Sequence, residues 1–277
     1  MRRFEGRRAL VTGASRGIGA GIAERLAAEG ADVVLVARTL EPDSHPLGGS
    51  LRETAQRLAR HGTRVETIAA DLGDEEARSR IVPRAAELLG GHLDVLVNNA
   101  AAAIYQPLAD YPLRRRRLSF EVNVHAPLDL AQAVLPGMRA AGAGWIVNLS
   151  SATTRHAPGP PFDLVEPGTA MAVYGASKAA LDRITHGLGV ELHGTGIRVN
   201  TVQPAAAVLS EGAARLVGDT IRPDQVESLE EMVEGAVALC ACPEDVTGQI
   251  TVSLELIRDW GLTVHGLDAR PLAGADR

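Results

Sequence analysis

Short apolar runs alternate with longer amphipathic segments along almost the whole chain. Continuous runs of Val, Leu and Ile are typical of strands buried on both faces, and apolar residues spaced three and four apart are typical of helices. The apolar runs predict strands at residues 9–11, 33–36, 65–70, 94–97, 145–149 and 197–202, with a last strand near 250–254. The amphipathic segments predict helices at residues 18–29, 51–60, 75–89, 113–140 and 173–192.

This alternation predicts a parallel, doubly wound α/β sheet with helices on both faces, which makes a three-layer domain. No linker and no internal repeat interrupts the pattern, so residues 1–277 are predicted to form a single domain. The core is expected at 6–204, and residues 205–277 are expected to add substrate-side helices, the last strand and a tail. Two segments rich in Pro and Gly, 41–49 and 156–168, are predicted loops.

The composition narrows the function classes. Hydrophobic residues make up 45% of the chain and aromatic residues only 3%, so Ala, Val, Leu and Ile must build the core. The net charge of −6 argues against a nucleic-acid binder, and the four arginines at 114–117 are predicted to face solvent or another subunit. No apolar stretch is long enough for a bilayer and no secretory signal is present, so we expect a cytoplasmic protein without a membrane partner. Cys240 and Cys242 are interpreted as helix-end residues, and no metal site is expected.

A glycine-rich segment at residues 12–19 follows the first predicted strand and opens the first helix. Glycine lets the backbone turn tightly and approach a pyrophosphate, which then lies at the N-terminus of the helix. The segment is therefore predicted to bind a dinucleotide, with a purely structural strand–helix turn as the alternative. The residues predicted to contact the cofactor here are Gly13, Ser15, Arg16, Gly17, Ile18 and Gly19.

The end of the second strand predicts which dinucleotide binds. An acidic residue there would accept a hydrogen bond from the ribose 2′-hydroxyl of NAD. This chain has Arg38 instead, and Arg16 is expected on the same side. Because an arginine fork matches a phosphate, NADP(H) is the preferred cofactor in this interpretation. Two surface arginines are the alternative, and NAD is then a second candidate.

The chain contains a single lysine, Lys178, four residues after Tyr174. On a helix these positions share a face, so the ammonium and the phenol can converge on one point. A phenol has an ordinary pKa of ~10 and needs a neighbouring cation to exchange protons near neutral pH. The pair is a candidate catalytic centre, and the alternative is a lysine that persists by chance on a solvated helix face.

Several motifs, in the expected order over about residues 6–204, resemble those of the short-chain dehydrogenase/reductase family. The glycine-rich segment is similar to the cofactor loop of that family, and the Tyr174–Lys178 spacing is similar to its Tyr-x-x-x-Lys motif. The other matching residues are Asp71 after the third strand, Asn98-Asn99-Ala100-Ala101 after the fourth, Asn123, and Val147-Asn148-Leu149-Ser150-Ser151. Ala101 stands where the family has Gly. The resemblance implies a Rossmann-type fold in its single-domain form.

The resemblance also implies a reaction, namely the interconversion of a hydroxyl and a carbonyl group on a small substrate with NADP(H). Tyr174 would transfer the proton and Ser151 would orient the oxygen. Lys178 would lower the pKa of the phenol and bind the nicotinamide ribose, and Asn123 would hold a water that relays protons to Lys178. Further cofactor contacts are implied for Asp71, Leu72, Asn99, Ala100, Ala101 and Pro204. A homodimer or homotetramer is expected, because the long helices with Asn123 and Tyr174 pair subunits in the family.

Two alternatives stay open. One is an NADP(H)-binding regulatory protein without turnover, and the other is an epimerase or dehydratase of the same family. Intact Ser, Tyr and Lys argue against the first, since binding alone needs no phenol at a carbonyl.

The chain departs from the family pattern at three places. The segment between Ser151 and Tyr174 is long, and it follows the carboxyl end of a strand, where it could shape a substrate pocket. Pro204-Ala205 replaces Pro-Gly at the point where the backbone normally meets the nicotinamide amide, and Ser253-Leu254 stands where Asp-Gly-Gly is common. The predicted pocket lining is mostly apolar and indicates a hydrophobic substrate; it consists of Ala103, Ile104, His156, Phe162 and residues 208–217.

Overall fold

The computed structural model describes residues 2–42, 48–160, 162, 170–205, 207–208 and 226–272. Within them, seven parallel strands form one sheet in the order β3-β2-β1-β4-β5-β6-β9. These strands are β1 (Arg8–Thr12), β2 (Asp32–Ala37), β3 (Val65–Ala69), β4 (Val95–Asn98), β5 (Gly144–Leu149), β6 (Ile197–Gln203) and β9 (Ile250–Val252). A separate two-residue parallel pair is formed by β7 (Ala207–Val208) and β8 (Val226–Glu227).

Helices cover both faces of the sheet. They are α1 (Gly17–Ala28), α2 (Leu51–Leu58), α3 (Glu75–Ser79), α4 (Ile81–Leu89), α5 (Leu113–Phe120), α6 (Ala126–Ala141), α7 (Ala172–Glu191), α8 (Leu229–Leu239) and α9 (Ser253–Trp260). No helix in the described part of the chain is both long and apolar enough to cross a membrane.

Two hydrophobic clusters sandwich the sheet, because successive side chains of a strand point to opposite faces. Ala9 and Val11 of β1 pack with α1, α2 and α8, whereas Leu10 packs with α4 and α6. All three side chains are fully buried. Burying a Val or Leu side chain contributes ~1.5–3 kcal/mol, so these continuous apolar strands hold the layers together. The predicted three-layer Rossmann-type architecture is confirmed.

The strand order places the site. From β1 the chain runs outward through β2 to β3, and then crosses back to pair β4 with the other side of β1. Loops leaving the carboxyl ends of β1 and β4 therefore diverge and leave a crevice between them. In open α/β sheets this reversal is where ligands bind.

One predicted helix is in fact two. The segment predicted as a helix over 75–89 is divided between α3 and α4, with Arg80 between them. Pro83 lies in the first turn of α4, where a missing N–H removes no intrahelical bond. In the middle of one continuous helix Pro83 would have removed an intrahelical hydrogen bond. This explains why the segment is divided into α3 and α4.

Two further boundaries differ from the predictions. The helix predicted over 113–140 contains a π-helical turn at Glu121–His125 between α5 and α6. The last strand was predicted to reach residue 254, but it ends at Val252 and Ser253 begins α9. The pattern did not delimit α8. Cys240 directly follows that helix, as expected, and both cysteines are buried free thiols.

Candidate active site

The loops after β1 and β4 are joined by hydrogen bonds at the crevice. The Thr12 hydroxyl accepts from the backbone N–H groups of Asn99 and Ala100, at 3.0 and 3.1 Å. In return, Asn99 Nδ2 donates to the carbonyl oxygens of Thr12 and Gly13, at 2.9 and 3.2 Å. Asn99 therefore fixes the glycine-rich segment against the end of the neighbouring strand.

This close approach explains two of the glycines. A Cβ at Gly13 would lie 2.7 Å from Asn99 Nδ2, and the Gly13 backbone has a φ of +67°. A Cβ at Gly19 would overlap both Asn99 Nδ2 and the Gly13 carbonyl oxygen. Any larger residue at either position would separate the two loops.

The N-terminus of α1 fits an anionic group. No side chain caps the helix, and its first turn contains no acidic residue. The first N–H groups of a helix lack intrahelical partners, and the helix dipole favours a negative charge there. A cavity of about 800 Å³ lies against this end, lined among others by Ser15, Arg16, Gly17 and Ala20. A dinucleotide pyrophosphate suits these donors.

The residues predicted to meet the adenosine lie at the ends of β2 and β3. Arg38 is exposed directly after β2, and Arg16 donates to the Gly49 carbonyl oxygen at 3.1 Å. Asp71 is also exposed, its Oδ1 accepting from the Gly73 N–H at 2.9 Å, while Leu72 is buried. Both arginines lie on the side of the crevice where a ribose 2′-phosphate would be expected.

Ser151, Tyr174 and Lys178 converge at the carboxyl end of β5. Ser151 follows this strand closely, and Tyr174 lies in the first turn of α7. The Ser151 hydroxyl accepts from the N–H and the hydroxyl of Thr153, at 3.2 and 2.9 Å, and it lies close enough to the Tyr174 phenol to lower the pKa of that phenol. Lys178, one turn further along α7, is 2% exposed and donates from Nζ to the Leu149 carbonyl oxygen at 2.6 Å. The sheet and one helix thus bring the three groups together.

Burial shifts the pKa of both α7 groups toward their neutral forms. It lowers the pKa of Lys178 to about 8, and the nearby Asp182 carboxylate only partly opposes this. Burial also raises the pKa of the Tyr174 phenol, and Tyr105 adds to the rise while the Ser151 hydrogen bond opposes it. The Lys178 ammonium is directed at the Leu149 carbonyl oxygen. That the Lys178 charge lowers the pKa of the Tyr174 phenol therefore stays a prediction, which applies to the cofactor complex.

Asn123 lies within the π-helical turn and is fully buried. Its Oδ1 accepts from the Ala102 N–H at 2.7 Å, and its Nδ2 donates to the Ser177 hydroxyl at 3.0 Å. Ser177 immediately precedes Lys178. The side chain of Asn123 therefore connects the loop after β4 to the helix that carries the tyrosine and the lysine.

Comparison with known proteins identifies the family. The sequence matches the short chain dehydrogenase family over residues 7–217. The chain belongs to this family. L-xylulose reductase from Homo sapiens is 38% identical to it over 210 residues, which span 76% of this chain and 75% of that protein. The protein is therefore an oxidoreductase of the short-chain dehydrogenase type.

Solved structures agree with this assignment. A short chain dehydrogenase from Burkholderia cenocepacia in complex with NADP superposes with a TM-score of 0.74 at 32% identity, over 90% of this chain and 97% of that one. A 3-oxoacyl (acyl-carrier-protein) reductase from Agrobacterium tumefaciens with NADP bound gives a TM-score of 0.75 at 29% identity, over 90% and 93% of the two chains.

Sequence reasoning missed a buried polar chain beneath the site. Asn98 Nδ2 donates to Asn148 Oδ1, and Asn148 Nδ2 donates to the Thr185 hydroxyl, both at 2.8 Å. These bonds connect β4 and β5 to α7, so they set the position of α7 relative to the sheet. The available signal was an asparagine inside each apolar strand, where a polar side chain needs a partner.

Only some of the residues predicted to line the substrate pocket lie together in the structure. Ala103 and Ile104 line a depression of about 670 Å³ together with Tyr105 and Arg115. The Tyr105 ring contacts the Tyr174 ring edge to face, with centroids 5.4 Å apart. Residues 209–217, and 161 and 163–169 of the insertion, lie outside the described residues. His156 and Phe162 are both exposed, Phe162 to 59%.

Proposed function

We propose that this protein is an NADP(H)-dependent oxidoreductase that interconverts a hydroxyl and a carbonyl group through Asn123, Ser151, Tyr174 and Lys178. The observation that carries the proposal is the proximity of the Ser151 hydroxyl to the Tyr174 phenol, one helical turn before the buried Lys178. These two hydroxyls are positioned to bind one substrate oxygen, and a packing role alone would not require them to meet.

When bound, NADPH supplies the hydride for reduction. Tyr174 donates its proton to the developing alkoxide and removes one from the alcohol in the reverse direction. Ser151 donates a hydrogen bond to the same oxygen and so fixes its position before the reaction. Lys178 contributes positive charge next to the phenol, and Asn123 holds the loop after β4 against the helix of Tyr174.

The cofactor preference is argued from charge. Arg38 directly follows β2, where an NAD-specific protein would carry a carboxylate, and the Arg16 guanidinium reaches the same loop, 3.5 Å from the Thr39 hydroxyl. Both solved relatives described above contain NADP. A 2′-phosphate offers these arginines a charge-assisted hydrogen bond that a 2′-hydroxyl cannot match. NADP(H) is therefore the proposed cofactor, with NAD as the second choice.

The proposed substrate is a small ketone or the corresponding secondary alcohol. Ala103 and Ile104 line a depression together with Tyr105, whose ring contacts the Tyr174 ring, and these side chains favour a hydrophobic substrate. L-xylulose, named for the human relative, is a polar ketose. Including it in the panel tests whether the activity of that relative extends to this chain.

The test is the loss of NADPH absorbance with purified protein and a panel of cyclic ketones, linear diketones, aldehydes and L-xylulose. Turnover of at least one carbonyl is expected, with the corresponding alcohol as product. Tight NADPH binding without turnover of any carbonyl or alcohol would instead favour a regulatory protein. Consumption of a substrate without net change in NADPH would favour an epimerase or dehydratase.

Tyr174→Phe should abolish turnover and leave NADPH binding intact, because only the hydroxyl is removed. Tyr111→Phe is the matched control: it also removes one partly buried phenol hydroxyl, which bonds the Ile104 carbonyl and Ser119 at 3.2 Å. The control should keep most of the activity. Substantial residual turnover in pure Tyr174→Phe protein would contradict the assigned proton donor.

We also propose that the protein forms a homodimer or homotetramer. On α5, Leu113 and Leu118 are exposed by 49% and 38%, so this helix presents apolar side chains that a second subunit could cover. Light scattering at micromolar concentration measures the state directly, and a monomer would contradict this proposal.

A further inference from the structure

Two of the three departures from the family sequence meet at one buried carboxylate. Glu227 is the last residue of β8 and is only 4% exposed. Its Oε2 accepts from the Ala205 N–H at 3.0 Å. The fully buried Ser253 hydroxyl lies 2.7 and 2.8 Å from the two carboxylate oxygens and donates to this group. Ala205 and Ser253 are the residues that replace the usual Pro-Gly and Asp-Gly-Gly positions.

Glu227 is not part of an ion pair among the described residues. Its hydrogen-bond donors are a backbone N–H and a hydroxyl, and no arginine, lysine or histidine in the described segments lies within salt-bridge distance. Burial raises the pKa of this carboxyl, which reflects the cost of the charged form. A buried carboxyl group without a cation destabilises the fold unless it is fully hydrogen-bonded. Burying an apolar residue at this position would destabilise the fold less than burying a carboxyl group. We therefore expect the carboxyl group of Glu227 to have a specific role.

The backbone of Ala205 is held at both its N–H and its carbonyl oxygen. Glu227 accepts its N–H, and the Arg155 guanidinium donates to its carbonyl oxygen. Nearby, the Thr154 hydroxyl donates to Gln203 Oε1 at 3.0 Å, which connects the segment after Ser151 to the end of β6. The loop after β6 is thus tied to the catalytic serine segment on one side and to β8 and α9 on the other.

We propose that Glu227 is a positioning residue that orients the Pro204–Ala205 peptide toward the nicotinamide end of the cofactor, with Ser253 holding its carboxylate. This proposal rests on the proposed function. In a trans peptide the N–H and C=O groups point in opposite directions, so anchoring the Ala205 N–H also sets the direction of the Pro204 carbonyl. A carbonyl held in this way is an acceptor suited to the carboxamide of the nicotinamide. The pairing of β7 with β8 brings Glu227 opposite Val208, close to this loop.

The test uses calorimetry to distinguish effects on the adenosine half of the cofactor from effects on the nicotinamide half. Binding of NADPH is compared with binding of 2′,5′-ADP, which carries the phosphorylated adenosine half and no nicotinamide. In Glu227→Leu, which has similar size and no acceptor, the Kd of NADPH should rise about tenfold or more, since a hydrogen bond to a charged group is lost. The Kd of 2′,5′-ADP should change much less than that of NADPH, although Glu227 also lines the cavity at the N-terminus of α1. Glu227→Gln keeps an acceptor for Ala205 and should stay within about threefold of the parent for both ligands.

Glu234→Gln is the matched control. Glu234 is a similarly buried carboxylate, 2% exposed, but it pairs with Arg25 of α1 at 2.8 Å. It should lower the melting temperature without changing the ratio of the two dissociation constants. A purely structural role for Glu227 predicts the same behaviour for Glu227→Leu, and that result would overturn the proposal.

A second pair of variants covers the case in which Glu227→Leu does not fold. Ser253→Ala removes the hydroxyl that holds the carboxylate, and Ser253→Thr keeps it. The alanine variant should weaken NADPH binding selectively and the threonine variant should restore it; equal affinities in both would overturn the proposal. Failure of the parent protein to bind either NADPH or NADH would overturn the proposed function as well, and this outcome is visible before any variant is made.

Discussion

Replacing Lys178 by methionine should abolish carbonyl reduction and at the same time stabilise the fold at neutral pH. The ammonium is 2% exposed, and burial lowers its pKa from 10.5 to about 8. At about 1.4 kcal/mol for each pH unit between these values, the charged lysine destabilises the folded protein by ~3.5 kcal/mol at neutral pH. Methionine removes the charge and fills a similar volume. It also loses the charge-assisted bond to the Leu149 carbonyl oxygen, which offsets ~1.5–3 kcal/mol, so a net gain of ~0.5–2 kcal/mol is expected.

The pH dependence has a defined sign. Between about pH 8 and 10.5 the unfolded chain binds the Lys178 proton and the folded chain does not. Stability of the parent therefore rises with pH across this window, because the unfolded state binds more protons there. Below the window the destabilisation is complete, and above it the destabilisation disappears. The advantage of Lys178→Met should accordingly be largest near neutral pH and shrink as the pH rises.

Urea unfolding at several pH values between about 7 and 9.5 measures this difference. Other groups titrate nearby with the opposite sign: burial raises the pKa of Cys242 to about 11 and also raises that of Tyr105. Subtracting the parent curve from the variant curve cancels them, and the single lysine of the chain makes the assignment unambiguous. Lys178→Arg is the control, since a guanidinium stays charged and should be destabilising at every pH.

Two results would refute this reasoning. One is a Lys178→Met protein less stable than the parent near neutral pH, which would mean that the bond to Leu149 outweighs the burial of the charge. The other is a stability difference that does not change between about pH 7 and 9.5, which would mean that Lys178 keeps its ordinary pKa in the fold.

Arg38→Ala should weaken NADPH binding ten- to hundred-fold, since a charge-assisted hydrogen bond is worth ~1.5–3 kcal/mol, and should leave NADH binding unchanged in calorimetry; equal affinities for both cofactors in the parent would contradict the assignment. Gly19→Ala should cost ~1–3 kcal/mol of stability by forcing Asn99 away, whereas Gly187→Ala, whose new Cβ meets only Arg183 Nη1 at 3.5 Å, is the near-neutral control in the same thermal melt. Asn148→Leu removes two buried hydrogen bonds and leaves Asn98 Nδ2 without its acceptor, while the Thr185 hydroxyl keeps its bond to the Leu181 carbonyl oxygen, so a loss of ~1–3 kcal/mol is expected in urea unfolding; an unchanged midpoint would mean that the buried polar chain does not stabilise the fold.

Much of the fold was readable from local pattern. All seven predicted strands became strands of the sheet, the last of them two residues shorter than predicted, because strands buried on both faces must be apolar along their length. The errors in the predicted helix and strand boundaries have local causes that the hydrophobic pattern does not include. Pro83 starts a new helix, and the π-helical turn at Glu121–His125 interrupts a segment whose periodicity still resembled one helix. At Ser253, a bond to Glu227 accompanies the start of a helix where a strand was expected.

The candidate site, like the fold, has some features that the sequence predicts and others that it does not. The spacing of Tyr174 and Lys178 and the glycine-rich segment were visible because a helical turn and a tight turn are encoded over a few neighbouring residues. The sequence also showed where each departure from the family pattern lies. It did not show that Ala205 and Ser253 share one carboxylate, since Glu227 is separated from both by more than twenty residues.

Contacts between residues so far apart in the sequence follow from the order of the strands in the sheet. Local sequence specifies each strand and helix, but only packing places β1 beside β4 and β5 beside β6. That order brings Asn99 onto the glycine-rich segment and Tyr174 onto Ser151, and it buries Lys178 deeply enough to lower its pKa. Residue type and spacing therefore defined the candidates, whereas burial and hydrogen-bond partners depend on elements far apart in the chain and arise only when the sheet assembles.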